Sequence, residues 1–273
     1  MQTTALDTWE ELEDFLNKID NDYRKSKTDP NRKFGSYSEP LFRGQADANW
    51  TLSTTLERAT NDTFSLDRYY RDAGAAHRYL SGFNAQKWKF EKIEKFTYET
   101  FRHSPLPSYG FLAYLRHHGF PSPLLDWTAS PYVALFFAFG NPLPKGTERV
   151  ALFCYQEHVG QGKAYSSDQP GIQIMGPWES THPRHHLQQC WYSICFQEKE
   201  NGTLFFVPHE KGFSPTTPHV VRQDVLTKVT LPVSLRPHVL YKLMRMNVTP
   251  YSIFQSEDAL VQTAAFRIFN DLS

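Results

Sequence analysis

The first residues that could bind a ligand lie in the segment LFRGQ, residues 41–45, where Arg43 precedes Gly44. A guanidinium group can hold a phosphate or a ribose through two parallel hydrogen bonds, and glycine allows a ligand to approach the backbone closely. A structural ion pair between Arg43 and an acid at the edge of the core is the alternative. We predict that Arg43 and Gly44 belong to a ligand-binding site, with Arg43 as a catalytic candidate.

A second candidate group lies in the segment LLDWTASP, residues 124–131. Asp126 stands among apolar neighbours, where an unpaired carboxylate is expensive to bury. It therefore either pairs with Arg43 or acts as a catalytic acid or base with a raised pKa. We predict that Arg43 and Asp126 meet at one pocket, although they are far apart in the sequence.

The residues that follow Asp126 are candidates for ligand contact. Thr128 could reach a ligand with its hydroxyl, whereas Trp127 is either a stacking surface or a core residue. Ser130 precedes Pro131, a pattern typical of a helix N-cap followed by proline in the first turn, and a helix N-terminus suits an anion. We predict that Trp127, Thr128 and Ser130 bind a cofactor, with helix capping as the alternative for Ser130.

Histidines form two further groups. His117 and His118 precede Gly119 at the expected end of a helix, where a histidine commonly donates to free carbonyls. His117 is also a candidate catalytic residue. The histidines within residues 182–186 have no cysteine or carboxylate nearby at ligand spacing, so we expect no bound metal.

The elements that must position these residues are predicted from periodicity and turn signals. Thr8 and Glu11 form a capping box ahead of a helix that reaches residue 19, and residues 21–40 are predicted as a loop. The predicted helices that follow are 65–103, 110–118, 131–139, 235–246 and 256–269, and the predicted strands are 39–45, 149–156, 171–175, 190–196, 203–208 and 225–231. We predict one α+β domain, with a helical N-terminal part packed on a mixed or antiparallel sheet.

Composition narrows the class of protein. The chain has 273 residues, 40% of them hydrophobic, and 29 basic against 29 acidic side chains. A sizeable core is therefore possible, and no basic surplus indicates nucleic acid as a partner. No apolar run reaches the length of a membrane span, and the acidic start is unlike a secretory signal. The three cysteines are too few for a disulfide framework, so we expect buried, reduced thiols and a cytoplasmic location without a membrane partner.

The segment LFRGQ and residues 112–138 together resemble the FRG-domain family, which is named for its Phe/Tyr-Arg-Gly motif. The second signature of the family has the form His-x-Gly-x-Pro-Thr-x-Leu-Leu-Asp-Trp-Thr-x-Ser-Pro-x-x-Ala-Leu-x-Phe-Ala. The chain departs from the family pattern at Arg116, where Gln is usual, and at Pro123, where Arg is frequent. The resemblance implies an FRG domain over residues 35–273, after an N-terminal helix and loop in residues 1–34.

The order of the parts is also similar to that of ADP-ribosyltransferases of the Arg-Ser-Glu type. Those enzymes have an arginine on a first strand, then helices, a Ser/Thr-rich strand that runs into a helix, and a later strand with Glu or Gln. The similarity implies an ADP-ribosyltransferase-like fold and a site that binds or cleaves NAD through an oxocarbenium-like state. Gln188 or Gln189 would then hold the nicotinamide ribose, and Glu198 would supply a carboxylate.

The predicted function is an NAD-binding or NAD-cleaving effector in a bacterial toxin or phage-defence setting, as the FRG resemblance implies. NAD or another nucleotide is the expected ligand, and the sequence does not name an acceptor macromolecule. One alternative is a non-catalytic nucleotide- or partner-binding module at the same Arg43–Asp126 pocket. The other is a nuclease in which Asp126 and His117 act as polar catalysts. Whether the protein is an enzyme is therefore open at this point.

Overall fold

One mixed sheet organises the fold. The computed structural model describes residues 2–30, 37–60, 64–83, 88–91, 93, 104–160, 162–166, 169–176, 183–199, 202–213 and 222–269. Within them the strands are β1 (Gln2–Ala5), β2 (Leu41–Gln45), β3 (Phe64–Ser65), β4 (Leu125–Thr128), β5 (Arg149–His158), β6 (Gly171–Met175), β7 (Cys190–Glu198), β8 (Leu204–Phe206) and β9 (Gln223–Pro232). The helices are α1 (Trp9–Thr28), α2 (Thr55–Thr60), α3 (Leu66–Ser81), α4 (Tyr109–His117), α5 (Pro131–Phe139), α6 (Pro183–Leu187), α7 (Arg236–Arg245), α8 (Pro250–Phe254) and α9 (Glu257–Ile268). The protein is α+β, as predicted.

The strand order brings the two sequence motifs together. The order is β1-β9-β5-β2-β4-β7-β8-β3, and β6 pairs with β7. Strands β1 and β9 are parallel, whereas the other pairs among the described residues are antiparallel. Strand β2 lies between β5 and β4, with Phe42 opposite Thr128. The LFRGQ segment and the LDWT strand are therefore direct neighbours.

Helix α5 packs against β2 at very short range. A Cβ atom at Gly44 would lie 1.8 Å from the carbonyl oxygen of Ala134, so a side chain at this position would clash with the helix backbone. The N-terminus of α5 is capped as predicted, because the Val133 N–H donates to the Ser130 hydroxyl at 3.3 Å. Gly44 is thus explained by close packing between a strand and a helix.

Helix α1 is part of the same core. The predicted capping box is present, since the Glu11 N–H donates to the Thr8 hydroxyl at 3.1 Å and the Glu11 side chain accepts from the Thr8 backbone. Trp9 and Leu12 are buried in a cluster that also contains residues of α5, β5 and β9. The prediction of a loop from residue 21 was wrong, because α1 continues to Thr28 through polar residues that a helix tolerates.

Two other expectations need correction. The helix predicted over residues 65–103 ends at Ser81 in α3, and residues 88–91 and 93 are not helical. Trp88, Phe90 and Ile93 still pack on the core, which explains their apolar pattern without a helix. The rest of the interval, residues 84–87, 92 and 94–103, lies outside the described part of the chain.

The first half of the chain is also less helical than expected, since it supplies β1 to β4 to the sheet. In the described ranges, no helix is long and apolar enough to cross a bilayer.

Candidate functional site

A cleft of about 920 Å³ opens where β2, β4, the end of α4 and helices α5 and α6 come together. Six of the eight predicted site residues line it: Arg43, Gly44, His117, Asp126, Trp127 and Thr128. Ser130 and Gln189 do not. The remaining lining residues include Trp50, Arg58, Arg116, Phe137, Arg184, Gln188, Cys190 and Phe254. Both sequence motifs therefore face one cavity.

Arg43 and Asp126 meet at this cleft, as the cost of burying each alone predicted. Nη1 of Arg43 donates to the backbone carbonyl of Asp126 at 2.9 Å and lies 3.6 Å from the carboxylate Oδ2. The same Oδ2 accepts a hydrogen bond from Nη2 of Arg116. One carboxylate thus lies between two guanidinium groups, and it neutralises only one of the two positive charges.

Burial shapes the electrostatics of the pair. Only 17% of the Arg43 side chain is exposed, and desolvation lowers its pKa, while the charge of Asp126 raises it. Arg116 and Arg58 lower the pKa of Arg43 further through repulsion. The guanidinium nonetheless stays charged at any physiological pH. Nε of Arg43 and Nε of Arg116 are buried without a hydrogen-bond partner among the described residues, so the donor capacity of the pair is not exhausted.

Two more arginines complete a cationic wall. Nη1 of Arg58 donates to the carbonyl of Ser53 at 2.6 Å, and Nε of Arg184 donates to the carbonyl of Phe254 at 3.2 Å. The four lining arginines face a single lining carboxylate, that of Asp126. The described wall of the cleft therefore carries an excess of three positive charges, an arrangement that attracts an anion.

Hydrogen bonds of Trp127 and Thr128 attach the LDWT strand to the core. The Thr128 hydroxyl donates to the carbonyl of Gln188 at 2.7 Å and accepts from the N–H of Ser130 at 3.1 Å. Trp127 is only 2% exposed, and its indole N–H donates to the hydroxyl of Ser193 at 2.8 Å. Trp127 is therefore a core residue whose edge forms part of the cleft wall, and Ser130 is a helix cap.

Of the two glutamines that were candidates for holding the ribose, Gln188 lines the cleft and Gln189 does not. Gln188 is buried and lines the cleft, whereas Gln189 is exposed and adopts a left-handed backbone with φ of 48°. The carbonyl of Gln189 accepts from the N–H of Ala129 at 3.1 Å. Glu198, at the far end of β7, is not among the lining residues either.

His117 contacts a buried tyrosine. Its Nε2 lies 2.8 Å from the hydroxyl of Tyr192, which is also 3.4 Å from Nδ1 of His185. Desolvation lowers the pKa of His185 and raises the pKa of the nearby Cys190 thiol to about 12. The potential ligand atoms of His117, His185 and Cys190 all lie within 4.8 Å of one another. The three residues come from separate segments, so the spacing within residues 182–186 gave no indication of this group.

Sequence reasoning did not identify Arg58, Arg116 and Arg184 as site residues. Arg116 had one available signal, because it replaces a residue that is usual in the family. Arg58 and Arg184 lie on short helices, and the fold brings them to the cleft. His182 of the same region lies outside the described residues.

Comparison with known proteins gives one match. The family model of the FRG domain matches residues 38–146, which include β2, β4, α4 and α5 and therefore both motifs of the cleft. No curated protein and no solved structure matches the chain. Arg43, Arg116, His117 and Asp126 all lie inside the matched region, and the chain therefore carries an FRG domain at residues 38–146, on which most of the cleft is built.

Proposed function

We propose that the cleft binds NAD and that the protein is an NAD-binding or NAD-cleaving effector with an ADP-ribosyltransferase-like site. The observation that carries the proposal is the wall of four arginines with one carboxylate. A guanidinium fork matches the oxygens of a diphosphate, and the excess positive charge favours an anionic ligand over a neutral one. A role in a bacterial toxin or phage-defence setting rests on the family resemblance alone.

The size and lining of the cleft support a dinucleotide. Its volume of about 920 Å³ lies near the upper end of the range for small-molecule sites, roughly 300–1,000 Å³. Arg43 and Arg116 would hold the diphosphate, because they lie side by side on Asp126. Trp50 lines the cleft with 49% of its surface exposed, so its ring is available to stack on a base or on nicotinamide.

The carboxylate of Asp126 has a specific part in this proposal. Cleavage of the nicotinamide–ribose bond develops positive charge on the ribose, which a nearby carboxylate stabilises. Asp126 is the single acid of the described cleft wall, and two guanidinium groups already hold it. It therefore positions Arg43 and Arg116 through Oδ2, and stabilisation of the ribose would fall to its other oxygen, Oδ1.

The same observation favours a second candidate, a nucleotide-binding module without turnover. A carboxylate whose Oδ2 already contacts two arginines has less capacity to accept a proton from a substrate. If Asp126 serves only to hold the arginines, the cleft would bind NAD or a related nucleotide and release it unchanged.

The experiment measures NAD binding by calorimetry and nicotinamide release by chromatography on the wild-type chain. Binding with release supports the enzyme, and binding without release supports the module. No binding at millimolar NAD refutes both, and metal-dependent cleavage of labelled RNA or DNA would favour the nuclease instead.

A pair of charge variants tests whether the arginine wall is responsible. Arg58→Gln removes one positive charge from the exposed rim of the cleft, and Arg71→Gln removes one from an exposed position on α3 outside it. We expect Arg58→Gln to weaken NAD binding about fivefold, equivalent to about 1 kcal/mol for an exposed charge, and Arg71→Gln to leave it unchanged. Equal effects of the two variants would show that only the net charge of the protein matters.

A further inference from the structure

Three side chains of the kind that metals bind converge at one wall of the cleft. His117 ends α4, His185 lies in α6, and Cys190 begins β7. Their potential ligand atoms lie within 4.8 Å of one another. Zn–N and Zn–S bonds of about 2.0–2.3 Å place the ligands of one tetrahedral zinc ion about 3.3–3.8 Å apart. Side-chain rotations that move the atoms by about 1 Å would therefore complete the geometry.

The hydrogen bonds of this cluster leave a buried nitrogen unused. His185 is 3% exposed, and its Nε2 has no hydrogen-bond partner among the described residues. The Tyr192 hydroxyl lies beside both rings, 2.8 Å from Nε2 of His117 and 3.4 Å from Nδ1 of His185. A hydroxyl can accept from one imidazole and donate to the other, so these contacts leave Nε2 of His185 as the buried nitrogen of the group without a partner among the described residues. A cation bound there would use the lone pair of that nitrogen.

We propose that His117, His185 and Cys190 bind a zinc ion whose fourth coordination position opens to the cleft. A thiolate and two imidazoles form a soft ligand set, which suits zinc and does not suit magnesium or calcium. His117 and Cys190 line the cleft, so the ion is reachable from solvent, while His185 is enclosed behind them.

A zinc ion at this place would give the cleft a chemical capacity beyond the binding of NAD. Three protein ligands with an open fourth position are typical of zinc sites that take part in chemistry, whereas purely structural sites have four protein ligands. The open position would accept water or an oxygen of an anionic ligand that the arginines hold. The sequence-based expectation of no metal considered only neighbouring residues, and this ligand set is assembled from three separate segments.

Cobalt(II) tests the site directly on the wild-type chain. Cobalt replaces zinc in such sites and gives an intense thiolate-to-metal charge-transfer absorption only when a cysteine sulfur is bound. We expect one cobalt ion per chain, a charge-transfer band, and loss of the band when zinc(II) is added. Cobalt binding without that band, or the absence of cobalt binding, would overturn the proposal. This experiment needs only the wild-type chain.

Variants then assign the ligands. Cys190→Ala and His185→Asn should abolish the band, while Cys195→Ala and His186→Asn should retain it. Cys195 is a matched control because it is equally buried on the same strand, and His186 is the exposed neighbour of His185. A band that persists in folded Cys190→Ala, or one that disappears in folded Cys195→Ala, would assign the thiolate elsewhere and contradict the proposal. Circular dichroism confirms the folding of each variant.

Discussion

The change Arg43→Lys separates a ligand-binding arginine from a structural one. Lysine keeps the positive charge near Asp126 but has a single ammonium group in place of the planar fork. In the structure, Nη1 of Arg43 is already used on the Asp126 carbonyl at 2.9 Å, so the other donors of the guanidinium are the ones left for a phosphate. A lysine that bonds to Asp126 cannot hold two oxygens of a phosphate at the same time.

The expected losses of NAD affinity and of stability follow from these hydrogen bonds. A hydrogen bond to a charged group contributes about 1.5–3 kcal/mol, so the loss of one bond to the diphosphate should weaken NAD binding at least tenfold. The Nη1 bond to Asp126 is replaced only in part, at a cost of about 1 kcal/mol in the free energy of unfolding. For a chain of this size that cost lowers Tm by about 2–4 °C.

Arg149→Lys is the matched control. The Arg149 guanidinium also makes a fork of hydrogen bonds, to the carbonyls of Leu6 and Thr230 and to the Asp7 carboxylate, but it lies outside the cleft. We expect this variant to lose stability without losing affinity for NAD. Calorimetric titration with NAD and thermal unfolding by circular dichroism measure both quantities. If Arg43→Lys behaves like the control, with lower Tm and affinity within twofold of wild type, Arg43 is a structural ion-pair residue and the reasoning is refuted.

Three further predictions follow from packing, burial and the motif. Gly44→Ala should lower the free energy of unfolding by at least about 3 kcal/mol in chemical denaturation, because its Cβ would lie 1.8 Å from a backbone oxygen of α5; a loss below 1 kcal/mol would contradict the close packing. Burial raises the pKa of Cys154 from 9.0 to about 12, so the unfolded chain loses that proton first as pH rises, and the contribution of this thiol to stability should fall by about 1.4 kcal/mol between pH 8 and 10. Cys190 and Cys195, whose pKa values burial also raises to about 12, add their own contributions to the decline. The Cys154→Ala variant should lack the Cys154 component, and an equal decline in both proteins would disprove it. His117→Ala should reduce NAD binding or turnover more than His118→Ala, since only His117 lines the cleft, and equal losses would remove His117 from the site.

Local signals in the sequence predicted the elements that carry the motifs. The serine and the proline at the start of α5 act within one helical turn, so Ser130 caps the helix that was predicted over residues 131–139, and Gly140 follows its last residue. The encounter of Arg43 with Asp126 was predicted from a different argument, the free energy of burying each charge alone. The helix cap depends on the identity of neighbouring residues, and the Arg43–Asp126 pair depends on the burial of both side chains.

The remaining parts of the site depend on how distant segments pack. Arg184 reaches the cleft because α6 lies next to β7 and α8. Arg58 reaches it from α2, whose first residues hydrogen-bond to the backbone of Ser122. The group of His117, His185 and Cys190 has the same origin. Nothing in the spacing of these residues indicates their proximity, since it arises from strand order. The short strand β1 was missed for a related reason, because its four residues are defined by pairing with β9.

The order of strands also determines where the hydrogen-bonded neighbours of the matched region come from. Residues 38–146 contain β2, β3 and β4, and among the described residues of this range these strands pair with one another only at Phe42 and Thr128. All five residues of β2 pair with β5, all four residues of β4 pair with β7, and β3 pairs with β8, so these ladders have their second strand beyond residue 146. A fragment cut at the limits of the FRG match would keep most of the cleft residues and lose the hydrogen-bonded neighbours that hold them. The strands that carry Arg43 and Asp126 therefore have complete pairing only when β5 and β7 are present.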